Sequence, residues 1–284
     1  PFAPGGSNDI VGRIVAEAAG QALGQPIVVE NRAGAGSVIG AEHVARAAPD
    51  GHTMFMGIVD THAINPSTRR NLPYDPVRDF APVSLVTTIP VAVVAGPSRP
   101  EIKDFAGLVA AARRAPGWLS FGSWGVGSTA HLAFARIARE ARAEMLHVPF
   151  TGAGPMGQAA LGGQIHAFVE SPSIPAATGL PVLAVFGARR LPALREVPTT
   201  AELGHPVEGT SAGGLVAPAG IPEAAFARLQ SACEKAVGGE AFRTAAARLN
   251  AVPSYLPGDA FRARFAAESE ANRQLLRALD LARD

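Results

Sequence analysis

Apolar residues recur along this 284-residue chain with two distinct spacings. In the segment that begins near residue 8 they fall three and four positions apart, as on the buried face of a helix. Short apolar runs bounded by glycine, proline and small polar residues are typical of buried strands. The helical spacing predicts helices from about 8 to 18 and at 38–44, 103–114, 129–141, 156–161, 222–237, 240–249 and 259–281. The short runs predict strands at 26–29, 52–58, 83–88, 91–95, 119–123, 145–150, 164–170, 182–187, 214–217 and 252–256.

The order of these elements indicates the fold class. Beyond residue 100, predicted strands and helices alternate along the chain. Such alternation is typical of parallel sheets that are covered by helices on both faces. We therefore predict an α/β protein built on mostly parallel sheets, with enough chain for one large or two medium hydrophobic cores.

Glycine-rich loops precede several of the predicted helices. The loop Gly5-Gly6-Ser7-Asn8-Asp9 leads into the first helix, and similar loops occupy 122–129 and 151–155. The N–H groups of a first helical turn lack partners within the helix and attract anions, although Ser7 or Asn8 could equally form an ordinary helix cap. In open α/β sheets, ligands bind beyond the carboxyl ends of the strands. We therefore predict that these loops surround a site for a small anion.

Another glycine-rich loop, at 34–40, follows an apolar run as in dinucleotide-binding folds. Its glycines are spaced G-x-G-x-x-x-G, and no acidic residue ends a strand about twenty positions later, because Asp50 lies in a Pro-Asp-Gly turn. We interpret these glycines instead as small residues that let a helix approach the sheet.

Composition narrows the class of partner. The chain is 48% hydrophobic and 17% charged, with 25 basic and 24 acidic residues, which describes an ordinary globular protein and gives no support to a nucleic-acid or membrane-surface partner. Its single cysteine, Cys233, excludes an internal disulfide and shares a helix face with apolar residues. The uncharged stretch 80–98 contains three prolines, so two short strands explain it better than a membrane span. No signal peptide is visible, and we expect a processed or trimmed form.

The one catalytic pattern in the chain lacks the sequence context that its chemistry needs. Residues 209–213 match the G-x-S-x-G pattern of serine hydrolases, with Ser211 as the nucleophile. That pattern needs a helix directly after the serine and a histidine later in the chain, but the following residues are strand-like and all seven histidines precede Ser211. No histidine or cysteine pair has metal-ligand spacing, and no P-loop occurs. We predict no catalytic residue, no metal site and no cofactor.

Several segments together resemble one family. They are Pro1-Phe-Ala-Pro-Gly-Gly, LGQPIVVENRAGAG at 23–36, APDGHT at 48–53, INP at 64–66, LPYDP at 72–76, DFAPVS at 79–84, HVPF at 147–150 and APAGIP at 217–222. In these motifs, and over essentially its entire length, the chain resembles the Bug (TctC-like) solute receptors of tripartite tricarboxylate transporters.

The resemblance implies a type II periplasmic-binding-protein fold, with two lobes that each contain a mostly parallel sheet flanked by helices. Lobe one would comprise 1–96 and 216–284, lobe two 97–215, with the ligand cleft between them. The implied function is that of a monomeric periplasmic protein without catalysis, which captures a small carboxylate (an organic acid or amino acid) and delivers it to membrane permease subunits. The alternatives are a ligand-sensing module for a signalling partner and, less favoured, the hydrolase that would use Ser211.

The resemblance also implies a set of ligand-binding residues. The first lobe would supply them from the loop before the first helix and the loop after the strand at 52–58, and the second lobe from its own strand ends. They are Phe2, Ala3, Gly6, Ser7, Asn8, Asp60, Thr61, Ser123, Trp124, Ser128, Thr129, Thr151 and Glu170.

Three of these residues depart from the usual family pattern. Asp60 stands where a small residue is common, Glu170 where an aspartate is common, and Trp124 where a small residue is common. Two acidic groups favour a ligand that carries an ammonium or another donor beside its carboxylate, and the indole would reduce the cleft volume or stack on a ring. The strand that normally leads into the first loop is also absent, so lobe one would lack a central strand.

Overall fold

The computed structural model describes residues 1–172, 175 and 178–278. The chain divides into two compact units, one formed by Pro1–Thr88 with Ala212–Asp284 and the other by Ile89–Ser211. These divisions lie a few residues from the boundaries at 96 and 216 that the sequence suggested, because the strand Ala92–Ala95 pairs inside the second unit. The assignment of the units as ligand-binding lobes stays a prediction.

Most of the described helices and strands coincide with predicted ones apart from shifts at their ends, but the helix Asn65–Thr68 was not predicted and the predicted strand at 26–29 is not formed. The helices are α1 (Ser7–Leu23), α2 (Val38–Ala45), α3 (Asn65–Thr68), α4 (Phe105–Arg114), α5 (Thr129–Glu140), α6 (Ala153–Leu161), α7 (Glu223–Gly238), α8 (Glu240–Arg248) and α9 (Gly258–Ala278). The strands are β1 (Phe55–Ile58), β2 (Phe80–Pro90), β3 (Ala92–Ala95), β4 (Ser120–Ser123), β5 (Leu146–Pro149), β6 (Ala167–Glu170), β7 (Val182–Val185), β8 (Thr210–Pro218) and β9 (Val252–Pro257).

The first unit contains a four-stranded sheet in the order β1-β8-β2-β9. β1 pairs antiparallel with β8, and β2 pairs antiparallel with β9. Large side chains from this sheet and from α9 are fully buried, among them Ile58, Phe80, Leu85 and Phe261. Helix α1 packs against α7, whose Cys233 is buried as the sequence predicted.

The second unit contains a five-stranded sheet in the order β5-β4-β6-β3-β7. β4 pairs parallel with both β5 and β6, whereas β3 runs antiparallel to β6 and β7. Its core includes Val94, Met156, Ile165 and Phe168. The α/β class is confirmed, but both sheets carry antiparallel pairs, so the prediction of mostly parallel sheets holds only for β5-β4-β6. The apolar pattern of one strand does not show the direction of its partner strand, and these antiparallel pairs join segments that are far apart in the chain.

One predicted strand is not formed. Residues 26–29 form no strand, and Val28 is 88% exposed. β1 is the outer strand of its sheet, and a groove of about 280 Å³ is lined by residues of β1 (Phe55, Met56) and of the 26–29 segment (Ile27, Val29). A strand exists only where a neighbour completes its hydrogen-bond ladder, and among the described residues none does so for 26–29.

The cap of the first helix also differs from prediction. Helix α1 is capped by Gly6 without any side-chain hydrogen bond, so the suggestion that Ser7 or Asn8 caps it was wrong. Residues 279–281, the end of the predicted last helix, lie outside the described residues. Over the part of the chain that the structure describes, no helix is both long enough and apolar enough to cross a membrane.

Candidate functional site

The loop before α1 is held in place by hydrogen bonds to the carboxylate of Asp9. The backbone N–H of Gly5 donates to Asp9 Oδ2 at 2.9 Å, Asn31 Nδ2 donates to Asp9 Oδ1 at 2.8 Å, and Arg13 forms a salt bridge with Asp9 at 3.0 Å. Asn31 also donates to the carbonyl of Phe2 at 3.1 Å, which joins the loop to the segment near residue 30. Asp9 therefore fixes the conformation of the loop through its contacts inside the protein.

The ionisation of Asp9 follows from these contacts. Burial alone would raise the pKa of this carboxyl group, but the hydrogen bonds from Arg13, Gly5 and Asn31 and the charge of Arg13 lower the pKa below its ordinary value. Asp9 is thus a carboxylate at neutral pH. Sequence reasoning identified Asp9 as a residue of the first turn but missed Arg13 and Asn31, which only the fold brings to it.

The loop after β1 forms a π-helical turn, Asp60–Ile64, in which both predicted binding residues are buried. Thr61 Oγ1 donates to the carbonyl of Ile58 at 2.7 Å and lies 2.8 Å from His62 Nδ1, while the Tyr74 hydroxyl donates to the Thr61 carbonyl at 2.8 Å. Turns of this kind are rare and occur often at functional sites. The Thr61 side chain is engaged inside the protein, so any part it plays in binding stays a prediction.

His62 lies at the centre of the first unit's aromatic packing. Its ring stacks on Phe265 with centroids 4.5 Å apart and meets Phe80 edge-on at 4.9 Å. Burial lowers the pKa of this imidazole to about 4 because the charged form would lose its water. His62 is therefore neutral at pH 7.

The glycine-rich loop at 34–40 serves helix packing, as predicted. A Cβ atom on Gly40 would lie 3.0 Å from the ring of Phe55 and 3.2 Å from the carbonyl oxygen of Arg32. Only a residue without a side chain lets α2 approach β1 this closely.

In the second unit, three predicted binding segments begin at the same edge of the sheet. β5, β4 and β6 are parallel neighbours, with Ser123 opposite Pro149 and Gly122 opposite Phe168. Ser123 and Glu170 therefore end adjacent strands, and the N–H of Phe150, just before Thr151, donates to the Ser123 carbonyl at 2.8 Å. This edge, which we call the carboxyl edge, is where open α/β sheets bind ligands.

The turn between β4 and α5 is held by its own hydrogen bonds. Ser128 caps α5 by accepting from the N–H of His131 at 3.2 Å. The hydroxyl of Ser123 lies 3.1 Å from that of Ser128 and 2.7 Å from His147 Nε2. Both serines are buried, as is Trp124.

The structure thus distributes the thirteen predicted binding residues over both units. Seven lie in the first unit, in the loop before α1 and in the π-helical turn: Phe2, Ala3, Gly6, Ser7, Asn8, Asp60 and Thr61. Six lie in the second unit, at the carboxyl edge and in the turn that follows β4: Ser123, Trp124, Ser128, Thr129, Thr151 and Glu170. Thr151 is exposed, whereas Asp60 and Glu170 are buried. Their contacts with a ligand stay predictions.

The serine of the G-x-S-x-G segment does not occupy a nucleophile elbow. Ser211 lies within β8, which continues to Pro218, whereas the elbow requires a sharp turn into a helix at the serine. The described residues also contain no group of three or more histidine, cysteine, aspartate or glutamate side chains placed to hold a metal ion.

Comparison with known proteins places the chain in a family. The family model described as the tripartite tricarboxylate transporter family receptor, TctC, matches residues 11–281. The solved structure described as R. palustris Rpa4515 with adipate is 28% identical, with a TM-score of 0.95 over 99% of this chain and 96% of that one. The periplasmic binding protein BugD is 26% identical, with a TM-score of 0.92 over 100% of this chain and 97% of that one.

A further solved structure, MatC (Rpa3494) from Rhodopseudomonas palustris with bound malate, is 30% identical, with a TM-score of 0.87 over 97% of this chain and 96% of that one. The fold is that of periplasmic binding proteins, and the resemblance drawn from the sequence is confirmed. The chain belongs to the receptor family of tripartite tricarboxylate transporters.

Proposed function

We propose that this chain captures a small carboxylate in the periplasm and delivers it to the membrane permease of a tripartite tricarboxylate transporter. Loops from both lobes, 1–96 with 216–284 and 97–215, would hold the ligand. The observation that carries this proposal is the match to the receptor family over residues 11–281. The similar structures that contain adipate and malate support a carboxylate as the class of ligand.

The local chemistry supports the same class of ligand. Gly6 caps α1 without a side chain in the way, and the first-turn N–H groups of α1 and α5 carry partial positive charge. Carboxylates are favoured at such positions because backbone N–H groups can replace their water. Gly6, Ser7 and Asn8 in the first unit and Ser128 and Thr129 in the second would make these contacts.

Calorimetric titration with adipate and malate tests this proposal. We expect at least one of these acids to bind, and saturation at about 100 times the dissociation constant to stabilise the fold by about 3 kcal/mol. Adipamide is the matched control, because it has the same carbon chain without negative charge. Equal binding of adipamide, or no binding of any small organic or amino acid, would contradict the proposal.

A second ligand class has specific support from the two buried acidic residues. Asp60 is 3% exposed and Glu170 is 7% exposed, and a carboxylate beside a bound ligand attracts a group that carries positive charge or donates hydrogen bonds, even where that carboxylate also has partners in the protein. Aspartate and malate form a matched pair, because an ammonium group in one replaces a hydroxyl group in the other.

If Asp60 contacts the ligand's ammonium group, Asp60→Asn should weaken aspartate binding about tenfold or more and leave malate binding nearly unchanged. Glu17→Gln, on the exposed face of α1, is the control variant. The same affinity ratio of the two ligands in the wild type and in Asp60→Asn would remove the second candidate.

Transport and sensing differ in the partner of the ligand-bound protein, which is a membrane permease in transport and a signalling protein in sensing. In cells that lack this chain, uptake of the labelled ligand should be lost and should return when the chain is supplied together with its permease. Uptake that continues unchanged without the chain would favour the sensing role.

A further inference from the structure

Two stacked imidazoles lie against the turn that joins β4 to α5. The rings of His131, on α5, and His147, on β5, are nearly parallel, with centroids 3.8 Å apart and an angle of 11°. Phe121 on β4 packs against both rings, with centroids 6.0 and 5.0 Å away. Neither histidine belongs to the set of predicted binding residues.

Each imidazole is neutral and is bonded to a different part of the turn. Burial lowers the pKa of His131 to about 4, and burial together with the neighbouring His131 lowers the pKa of His147 to about 3. The N–H of Gly127 donates to His131 Nδ1 at 3.0 Å, so the neutral ring carries its proton on Nε2. His147 Nε2 lies 2.7 Å from the hydroxyl oxygen of Ser123.

The hydroxyl of Ser123 has more neighbours than it can satisfy at once. It lies 3.0 Å from the carbonyl oxygen of Gly125, 3.3 Å from the N–H of Gly125 and 3.1 Å from the hydroxyl of Ser128, in addition to His147. A serine hydroxyl has one proton to donate and can accept two hydrogen bonds. The proton positions along the row Ser128, Ser123 and His147 are therefore coupled.

This row of groups can be hydrogen-bonded in two directions. In one, Ser128 donates to Ser123 and Ser123 donates to His147 Nε2. In the other, His147 Nε2 carries the proton and donates to Ser123, Ser123 donates to the Gly125 carbonyl, and the Ser128 proton is left for a group outside the row. A carboxylate that accepts from Ser128 favours the second direction, because in the first direction Ser123 would lose the proton donated by Ser128 and keep only two hydrogen bonds.

We propose that His131 and His147 are positioning residues for ligand binding: they hold the Ser123–Ser128 turn in place, and His147 donates to Ser123 so that the Ser128 hydroxyl donates to the ligand's carboxylate. The inference rests on the proposed function. It assigns His147 no contact with the ligand.

Two substitutions at His147 separate the hydrogen bond from the packing. His147→Phe keeps a flat ring against His131 and Phe121 but removes the donor, whereas His147→Gln keeps an amide N–H near the position of Nε2. We expect His147→Phe to weaken binding of adipate or malate about 2- to 12-fold, the range of one net hydrogen bond. His147→Gln should bind within about twofold of the wild type. The thermal midpoints of both variants show whether any loss follows stability instead.

Two NMR measurements test the positioning role directly. In the free protein, amide hydrogen exchange at Gly125 and Gly127 should be faster in His147→Phe than in the wild type or in His147→Gln. On saturation with the acid that binds, imidazole nitrogen shifts should show His147 protonated at Nε2.

Equal exchange at these glycines in the free wild type and in free His147→Phe would overturn the inference, whatever the binding experiments show. Equal affinity of the two variants, or a His147 proton that stays on Nδ1 in the complex, would also overturn it. A wild type that binds no small organic or amino acid, yet shows the expected exchange pattern, would instead refute the proposed function and the ligand part of the inference with it.

Discussion

Replacing Gly214 by alanine is expected to reduce the free energy of unfolding by about 3 kcal/mol or more, or to prevent folding of the first unit. Gly214 lies on β8, between β1 and β2. A Cβ atom there would overlap the carbonyl oxygen of Ser84 and lie 2.6 and 2.7 Å from ring carbons of Phe261. The backbone of β2 cannot move aside without breaking its pairing. Urea unfolding followed by circular dichroism measures the loss.

The neighbouring glycine provides the matched control. A Cβ atom on Gly213 would meet the terminal methyl of Met56 at 3.2 Å, which a flexible side chain can relieve. Gly213→Ala should therefore cost about 1 kcal/mol or less. Equal stability of the two variants would show that the close packing of Phe261 on β8 is wrong.

Acidification is expected to destabilise the protein well above the pH at which carboxylates titrate. The unfolded chain binds a proton at His62 near the ordinary pKa of 6.5, but the folded chain binds it only near 4. The unfolded state therefore holds more protons between these values, and stability falls as the pH falls through that window. His62 alone accounts for a loss of about 2 kcal/mol between pH 7.5 and pH 5, and about 3 kcal/mol by pH 4. His131 and His147 act in the same direction.

His62→Phe isolates this contribution, because phenylalanine keeps the ring between Phe80 and Phe265 but cannot be protonated. Between pH 7.5 and pH 5 the variant should lose about 2 kcal/mol less stability than the wild type. Phe265→Leu, which removes the stacking partner but not the imidazole, should lower stability by a similar amount at both pH values. A His62→Phe variant with the same pH dependence as the wild type would mean that His62 is not buried as described.

Much of the fold could be predicted from the sequence because its signals are local. Helical spacing located α4, α5 and α7. The strand positions followed from short apolar runs between turn residues. Strand partners did not follow, because a run such as 91–95 is equally apolar whether its neighbours are parallel or antiparallel. The run at 26–29 has the composition of a strand but no partner among the described residues.

In the candidate site, too, local features could be predicted from the sequence and long-range contacts could not. Glycine-rich loops before helices are visible in the sequence, and the resemblance supplied the binding residues in them. The groups that support those loops were not visible, because Asn31 reaches Asp9 across 22 positions and His147 reaches Ser123 across 24. The resemblance also placed Ser123 among the ligand-binding residues, which stays a prediction, and the structure adds that its hydroxyl lies within hydrogen-bond distance of protein groups.

The proposed function predicts that backbone amides of the loop before α1 and of the first turn of α5 recognise the negative group of an organic acid. Amide chemical shifts followed by NMR during a single titration with adipate or malate test it most directly. We predict that the signals of Gly6, Ser7 and Asn8 shift together with those of Ser128 and Thr129, along curves that give one dissociation constant. Shifts confined to one unit, or located away from both loops while the acid binds, would contradict the account.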